Sequence, residues 1–137
     1  MRTESYIVEG KPTPLARPRI TKNRTYNPQH KLLQEFGIYL QHQRPTKLLF
    51  SGPVHLDVTF YMCIPRSWSK KKQDALYGTF HEKRPDISNL LKFVEDGAHG
   101  VLYEDDCIIS SVVTKKVYSF KPRTEFTISE LRETDEK

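Results

Sequence analysis

Val54-His55-Leu56-Asp57-Val58-Thr59-Phe60-Tyr61-Met62 alternates apolar and polar residues without a break. Successive side chains of an extended strand point to opposite faces. Val54, Leu56, Val58, Phe60 and Met62 therefore share one face, and His55, Asp57, Thr59 and Tyr61 share the other. Gly52-Pro53 precedes this run and Ile64-Pro65 closes it. The stretch is a half-buried strand, so the fold contains a sheet with one covered face.

Upstream, Tyr6-Ile7-Val8 reads as a short first strand. From Gly10 to Gln34 there is no acidic residue, whereas Lys11, Arg17, Arg19, Lys22, Arg24 and Lys31 are all basic. Pro12, Pro14 and Pro18 discourage helix in this arm. Asn27-Pro28 has the form of an N-cap and first helical residue. Leu32, Phe36, Tyr39 and Leu40 follow with helical spacing, which predicts a helix from about Pro28 to His42, ended by Arg44-Pro45.

Downstream, Ser67 or Ser69 caps a short helix through Ala75-Leu76, stopped by Gly78. A second main helix buries Ile87, Leu90, Leu91, Val94 and Ala98, with Gly97 and Gly100 breaking it. Cys107 to Tyr118 is rich in Ile, Val and Thr and reads as a strand. Thr124 to Leu131 is another, expected to pair antiparallel with it through the turn at 120–123. The order predicts an α+β fold: one domain, with a mixed or antiparallel β-sheet and two main helices packed on it. Its expected extent is residues 1–132, with 133–137 a frayed tail.

The chain has 137 residues and a formal net charge of +5, which favours an anionic partner such as nucleic acid. Six of its 17 acids fall between Asp86 and Asp106, so negative charge is focused where a divalent cation could sit. Cys63 and Cys107 lack CxxC spacing and are expected to be buried free thiols. No signal-peptide pattern and no apolar run of membrane-spanning length is present, which points to a cytoplasmic protein.

Arg84-Pro85-Asp86-Ile87-Ser88-Asn89-Leu90-Leu91-Lys92 opens the second main helix. Asp86 stands at the N-cap position, where its carboxylate would accept a bond from the N–H of Ser88 or Asn89 and still have lone pairs for a cation. Asn89 and Lys92 share a helix face, as do Ser88 and Lys92. Glu104-Asp105-Asp106 is a second acidic cluster, at the start of the next strand. Neighbouring strand residues face opposite ways, so one of Asp105 and Asp106 is expected to bind an ion and the other to be solvated.

These segments resemble the signature of the RusA family of Holliday-junction resolvases. The resemblance extends to Ala16-Arg17-Pro18-Arg19, Thr25-Tyr26-Asn27-Pro28 and Ile64-Pro65-Arg66-Ser67-Trp68-Ser69-Lys70-Lys71-Lys72, nearly the whole domain. The resemblance implies a homodimeric, Mg²⁺-dependent endodeoxyribonuclease that nicks four-way junction DNA symmetrically. It implies a bacterial or phage-encoded, nucleoid-associated protein with no membrane association and no small-molecule organic cofactor. By the family pattern Asp-x-Asp-Asn-x-x-Lys, Asp86 and Asp106 are expected metal ligands and Lys92 a catalytic lysine, with Ser88, Asn89 and Asp105 lining the site. Arg17, Arg19, Lys22, Arg24, Lys70, Lys71, Lys72 and Arg84 are the expected DNA contacts. The chain departs from the pattern at Ser88, where the family usually has a second acid, and a hydroxyl is a poorer Mg²⁺ ligand than a carboxylate. The alternative is therefore a four-way-junction binding protein that cuts weakly or not at all. A nuclease of other substrate preference and a protein-binding module are the remaining readings.

Overall fold

The structure, a computed structural model, describes residues 1–16, 19–20, 25–26 and 29–131, with 19–20 and 25–26 as backbone. Its elements are β1 (Thr3–Glu9), β2 (Arg19–Ile20), β3 (Thr25–Tyr26), α1 (His30–Gln43), β4 (Val54–Cys63), α2 (Lys70–Leu76), α3 (Ile87–Ala98), a 3₁₀ turn (Asp106–Ile108), β5 (Ile109–Ser119) and β6 (Arg123–Glu130). β2 and β3 form a short antiparallel pair within the basic arm. The expected N-cap at Asn27-Pro28 and the tail at 133–137 lie outside the described residues. α1 begins at His30, with Gln29 at its N-cap position. The Gln29 side chain is committed elsewhere: it accepts from the Ala16 N–H at 2.6 Å and donates to the Pro14 carbonyl at 2.7 Å.

The main sheet has the order β1-β6-β4-β5. β1 and β4 each pair antiparallel with β6, while β5 is parallel to β4. This makes a mixed sheet in an α+β domain, as the sequence predicts. The expected β5–β6 hairpin is absent, because β4 lies between them. The link at 120–122 passes over the end of β4, where Cys63 pairs with Ser119 and Tyr61 with Arg123. Two strand spacings, about 10 Å, are within reach of so short a link. The parallel β4–β5 pair needs a crossover, and the segment carrying α2 and α3 supplies it.

The apolar face of β4 is the floor of the core: Val54, Leu56, Val58, Phe60 and Met62 are all buried. Phe36 and Leu40 of α1 and Leu90, Phe93, Val94 and Ala98 of α3 cover it, with Phe126 and Ile128 alongside on β6. Ile87 and Leu91, expected inside, are partly buried against this core. Gly97 does not break α3; it lies within the helix, and a Cβ there would stand 2.5 Å from the Phe36 ring. The glycine lets α1 approach α3.

Both cysteines are free and exposed, contrary to expectation. Cys63 follows the parity of the outward face of β4, and Cys107 falls in the 3₁₀ turn before β5 begins.

Candidate active site

α3 positions the site because its apolar stripe is locked in the core while its polar stripe faces outward. Lys92 lies between Leu91 and Phe93 on that helix, with its side chain about half exposed (48%). Its Nζ donates to Asp106 Oδ2 at 3.0 Å. The same ammonium is 3.3 Å from Asp96 Oδ1 and 3.8 Å from Glu95 Oε1. Asp106 is fourteen residues further along the chain than Lys92. The turn after α3 folds it back: Val101 N–H and Leu102 N–H both bond to the Ala98 carbonyl, and the buried Tyr103 hydroxyl donates to the Glu95 carbonyl at 2.7 Å.

The acids at 104–106 do not open a strand as expected. Asp105 is the N-cap of the 3₁₀ turn, and its carboxylate accepts from the Cys107 N–H at 3.0 Å. That bond holds the Asp105 carboxyl below its ordinary range. Asp106, the first residue of the turn, swings to Lys92. The two acids do point apart, Asp105 to the Cys107 N–H and Asp106 to Lys92, but a capping turn separates them rather than strand alternation.

Asp86 is the N-cap residue of α3, yet its side chain makes no capping hydrogen bond. Its carbonyl, not its carboxylate, accepts from the N–H groups of Asn89 and Leu90. The carboxylate is exposed and uncommitted among the described residues. Ser88 and Asn89 are also exposed on the first turn. The basic arm passes this turn, where the Leu15 N–H donates to the Asn89 carbonyl at 2.9 Å. Arg17, Lys22 and Arg24 lie outside the described residues, and only the backbone of Arg19 is described.

Glu95 and Asp96 are neighbours of Lys92 that the sequence reading misses. Their signal was present in the i+3 and i+4 spacing from Lys92. The hydrogen bond to Asp106, which outweighs the opposing effect of burial, and then Asp96 hold the Lys92 ammonium above its ordinary pKa. Burial pushes the Glu95 carboxyl up. One ammonium facing three carboxylates leaves local negative charge in a basic protein, and such a spot attracts cations. Desolvation, with Asp105 beside it, raises the Cys107 thiol, so this exposed cysteine is not an activated nucleophile.

The donor chemistry suits a hard cation. Carboxylate oxygens are its preferred ligands, and Asp86 and Asp106 supply them. No group of three or more His, Cys, Asp or Glu side chains forms a metal cage among the described residues. Mg²⁺ characteristically binds one or two carboxylates and completes its shell with water and substrate phosphate; by donor type Asp106, and Asp86 at the N-cap of α3, suit it. The site is open surface. A cavity of about 200 Å³ lies between residues 8–13 and α1, lined by Leu32, Phe36, Tyr39 and Phe93, and none of the candidate acids borders it.

The lysines of α2 are exposed at the start of their helix. Ser69 caps it, accepting from the Lys72 N–H at 3.3 Å, as predicted. Lys72 Nζ sits 3.9 Å over the Trp68 ring, which leaves Lys70 and Lys71 as its solvent-directed cations. Arg84 is exposed in the linker before Asp86.

Residues 9–129 match the family model described as endodeoxyribonuclease RusA. The chain is also similar to the uncharacterized protein YqaN of Bacillus subtilis (strain 168). Identity is 30% over 135 residues, covering 92% of this chain and 95% of that protein. No described helix is long and apolar enough to cross a membrane.

Proposed function

The chain belongs to the endodeoxyribonuclease RusA family, and from that premise we propose that it is a Mg²⁺-dependent nuclease resolving four-way DNA junctions by paired nicks. The observation that supports this most is the meeting of Asp106 with Lys92, at 3.0 Å, beside the helix whose N-cap carboxylate, Asp86, makes no capping bond and has no partner among the described residues. Asp86 and Asp106 would hold the ion, which supplies charge neutralisation at the scissile phosphate and a more acidic water when bound. Lys92 presents its ammonium toward the phosphoryl oxygens, where negative charge grows as the bond to the leaving 3′ oxygen breaks. Asp96 and Glu95 hold that ammonium in place. The products are a 5′-phosphate and a 3′-hydroxyl. Lys70, Lys71, Arg84 and the basic arm fix the DNA through its phosphates. Two copies about a two-fold axis would match the symmetry of a four-way junction.

A junction-binding protein with little or no cleavage is the second reading, favoured by Ser88 in place of a carboxylate on the first turn of α3. A Mg²⁺-dependent junction-nicking assay on wild type, Asp106→Asn and Ser88→Asp separates the two. The nuclease reading expects wild type to cut and Asp106→Asn to lose about 10²–10³ in rate. Equal cutting by Asp106→Asn sinks the site assignment. Cutting by Ser88→Asp alone makes the protein a binder whose catalytic capacity is disabled.

A further inference from the structure

Lys116 is a half-buried lysine on the helix-covered side of the sheet. β5 pairs in register with β4, placing Thr114, Lys116 and Tyr118 beside Val58, Phe60 and Met62. All three of those β4 residues are buried, and so is Tyr118. Side chains directly opposite in register share a face, so Lys116 points to the helix-covered side, while Lys115 points to the open side.

An inward lysine on an edge strand gains from acceptors, since an ammonium partly withdrawn from water loses hydration that they replace. Lys116 Nζ donates to the Lys83 carbonyl at 2.7 Å and to the Pro85 carbonyl at 2.8 Å. The main chain reinforces the grip: the His81 N–H donates to the Lys116 carbonyl at 3.0 Å, and Phe80 forms an antiparallel bridge with Val117. The linker between α2 and α3 is thus fastened to β5 along Lys116, Val117 and Tyr118, the last through the Gly78 N–H to the Tyr118 carbonyl (3.0 Å) and the Tyr118 N–H to the Thr79 carbonyl (2.9 Å), and the Lys116 side chain carries the hold on to Lys83 and Pro85. The last carbonyl held belongs to the residue directly before Asp86.

We propose that Lys116 is a positioning residue for the ion site: by holding the 83–85 backbone it sets where the Asp86 carboxylate stands relative to Lys92 and Asp106. This rests on the proposed nuclease reading. The Asp86 side chain makes no capping bond; its main chain is held from the helix side by the Asn89 and Leu90 N–H groups and from the linker side by the grip of Lys116 on Pro85. The competing explanation is that an inward charge merely protects the sheet edge from pairing with another chain. Edge protection predicts an effect on self-association and none on the ion.

The test compares Lys116→Met, Lys116→Arg and Lys115→Met, the last removing one charge from the same strand without touching the linker. Three readouts are used: Mn²⁺ binding by calorimetry without DNA, kcat and KM for junction nicking across Mg²⁺ concentrations, and amide exchange at Asn89 and Leu90. Lys116→Met is expected to weaken Mn²⁺ binding about 10- to 100-fold, as removal of a group supporting a metal ligand does. It should lower kcat at fixed Mg²⁺ with little change in KM for DNA, and speed exchange at both amides. Lys116→Arg should recover much of the binding, and Lys115→Met should alter only salt-dependent DNA affinity. Should the Met variant not fold, Lys116→Gln keeps a polar end at the same place and carries the same measurements. Unchanged Mn²⁺ affinity in Lys116→Met, or an equal loss in Lys115→Met, overturns the positioning role. A wild type that neither binds Mn²⁺ nor cuts overturns the nuclease reading and the ion-directed role with it. Exchange at Asn89 and Leu90 separates that result from a failure of the fastening itself, because it responds to Lys116 with or without metal.

Discussion

α2 and α3 both carry lysines, follow one another in the chain and are built in opposite ways. α2 buries none of its seven residues and is held by its Ser69 cap, by Gln73 bonding back to the Trp68 carbonyl, and by Tyr77 stacked on Phe120. α3 buries Leu90, Phe93, Val94, Gly97 and Ala98, and its place is set by close packing on the sheet and on α1. A side chain on α3 inherits the rigidity of the core, which is what a group acting on a phosphate needs. A side chain on α2 is an exposed charge on a helix that local bonds keep in place, which suits binding to a DNA backbone that needs no fine placement. On the proposed nuclease reading, the difference separates a reacting surface from a gripping surface.

The most severe way to break the comparison is to empty the core under α3. Leu90 is fully buried, and Leu90→Ala should cost about 2–5 kcal/mol of stability by transfer and cavity terms together. Urea denaturation measures it. A loss no larger than that from alanine at any α2 position would mean that α3 is not the anchored helix.

The α1–α3 crossing offers a sharper and smaller test. A methyl group on Gly97 meets the Phe36 ring at 2.5 Å, closer than packing allows. Gly97→Ala should therefore cost about 1–3 kcal/mol in overpacking, less at most about 0.5–1 kcal/mol regained by replacing a glycine in the last turn of the helix. The sign is destabilising, and a raised thermal midpoint would show that the two helices do not pack closely.

On α2 the expected effect moves from stability to binding. Lys70→Gln with Lys71→Gln should leave the fold intact and reduce the slope of log affinity against log salt by about 0.9 for each DNA phosphate no longer neutralised. Lys72 is left in place because its ammonium already rests on Trp68. An unaltered slope in the double variant would remove α2 from the DNA interface.

The same division governs how much the sequence disclosed. The period of β4 revealed its buried face residue by residue, because alternation is a local property of an extended chain. It could not say that β4 lies between β5 and β6, since strand neighbours are chosen by the whole set of apolar faces and links. Helical spacing placed Leu90, Val94 and Ala98 inside, and the same spacing could have named Glu95 and Asp96 as partners of Lys92. The approach of Asp106 was not derivable from spacing. It depends on a turn whose hydrogen bonds run back to Ala98 and on Tyr103 reaching the Glu95 carbonyl. Gly97 was misread because a glycine that ends a helix and one that admits a neighbouring ring look alike in one dimension. That the Asp86 carboxylate does not cap was also hidden: its position is that of a capping residue, and only the side-chain geometry shows that it makes no capping bond.

The linker joining the two helices supplies the smallest effect, one of pH. His81 lies partly buried there, its ring 4.8 Å from that of Tyr118, with Lys116 and Lys83 nearby. Its Nδ1 is buried and has no hydrogen-bond partner among the described residues. Burial, and then the two ammonium groups, lower its pKa from the ordinary histidine value of 6.5. The folded protein therefore keeps His81 neutral at a pH where the unfolded chain has begun to take up a proton. Unfolding then binds protons, so stability rises with pH across the interval between the folded value and about 6.5. Stability should fall as pH drops through about 6.5, and this loss should level off once the folded histidine also ionises. His81→Gln removes the group in both states, so its denaturation midpoint should decline less steeply than that of wild type from neutral pH toward acid. Parallel declines would mean that the ring is solvated in the folded protein. The linker would then be packed against β5 less closely than α3, and the boundary between the gripping and reacting halves would lie nearer to Asp86 than Lys116 suggests.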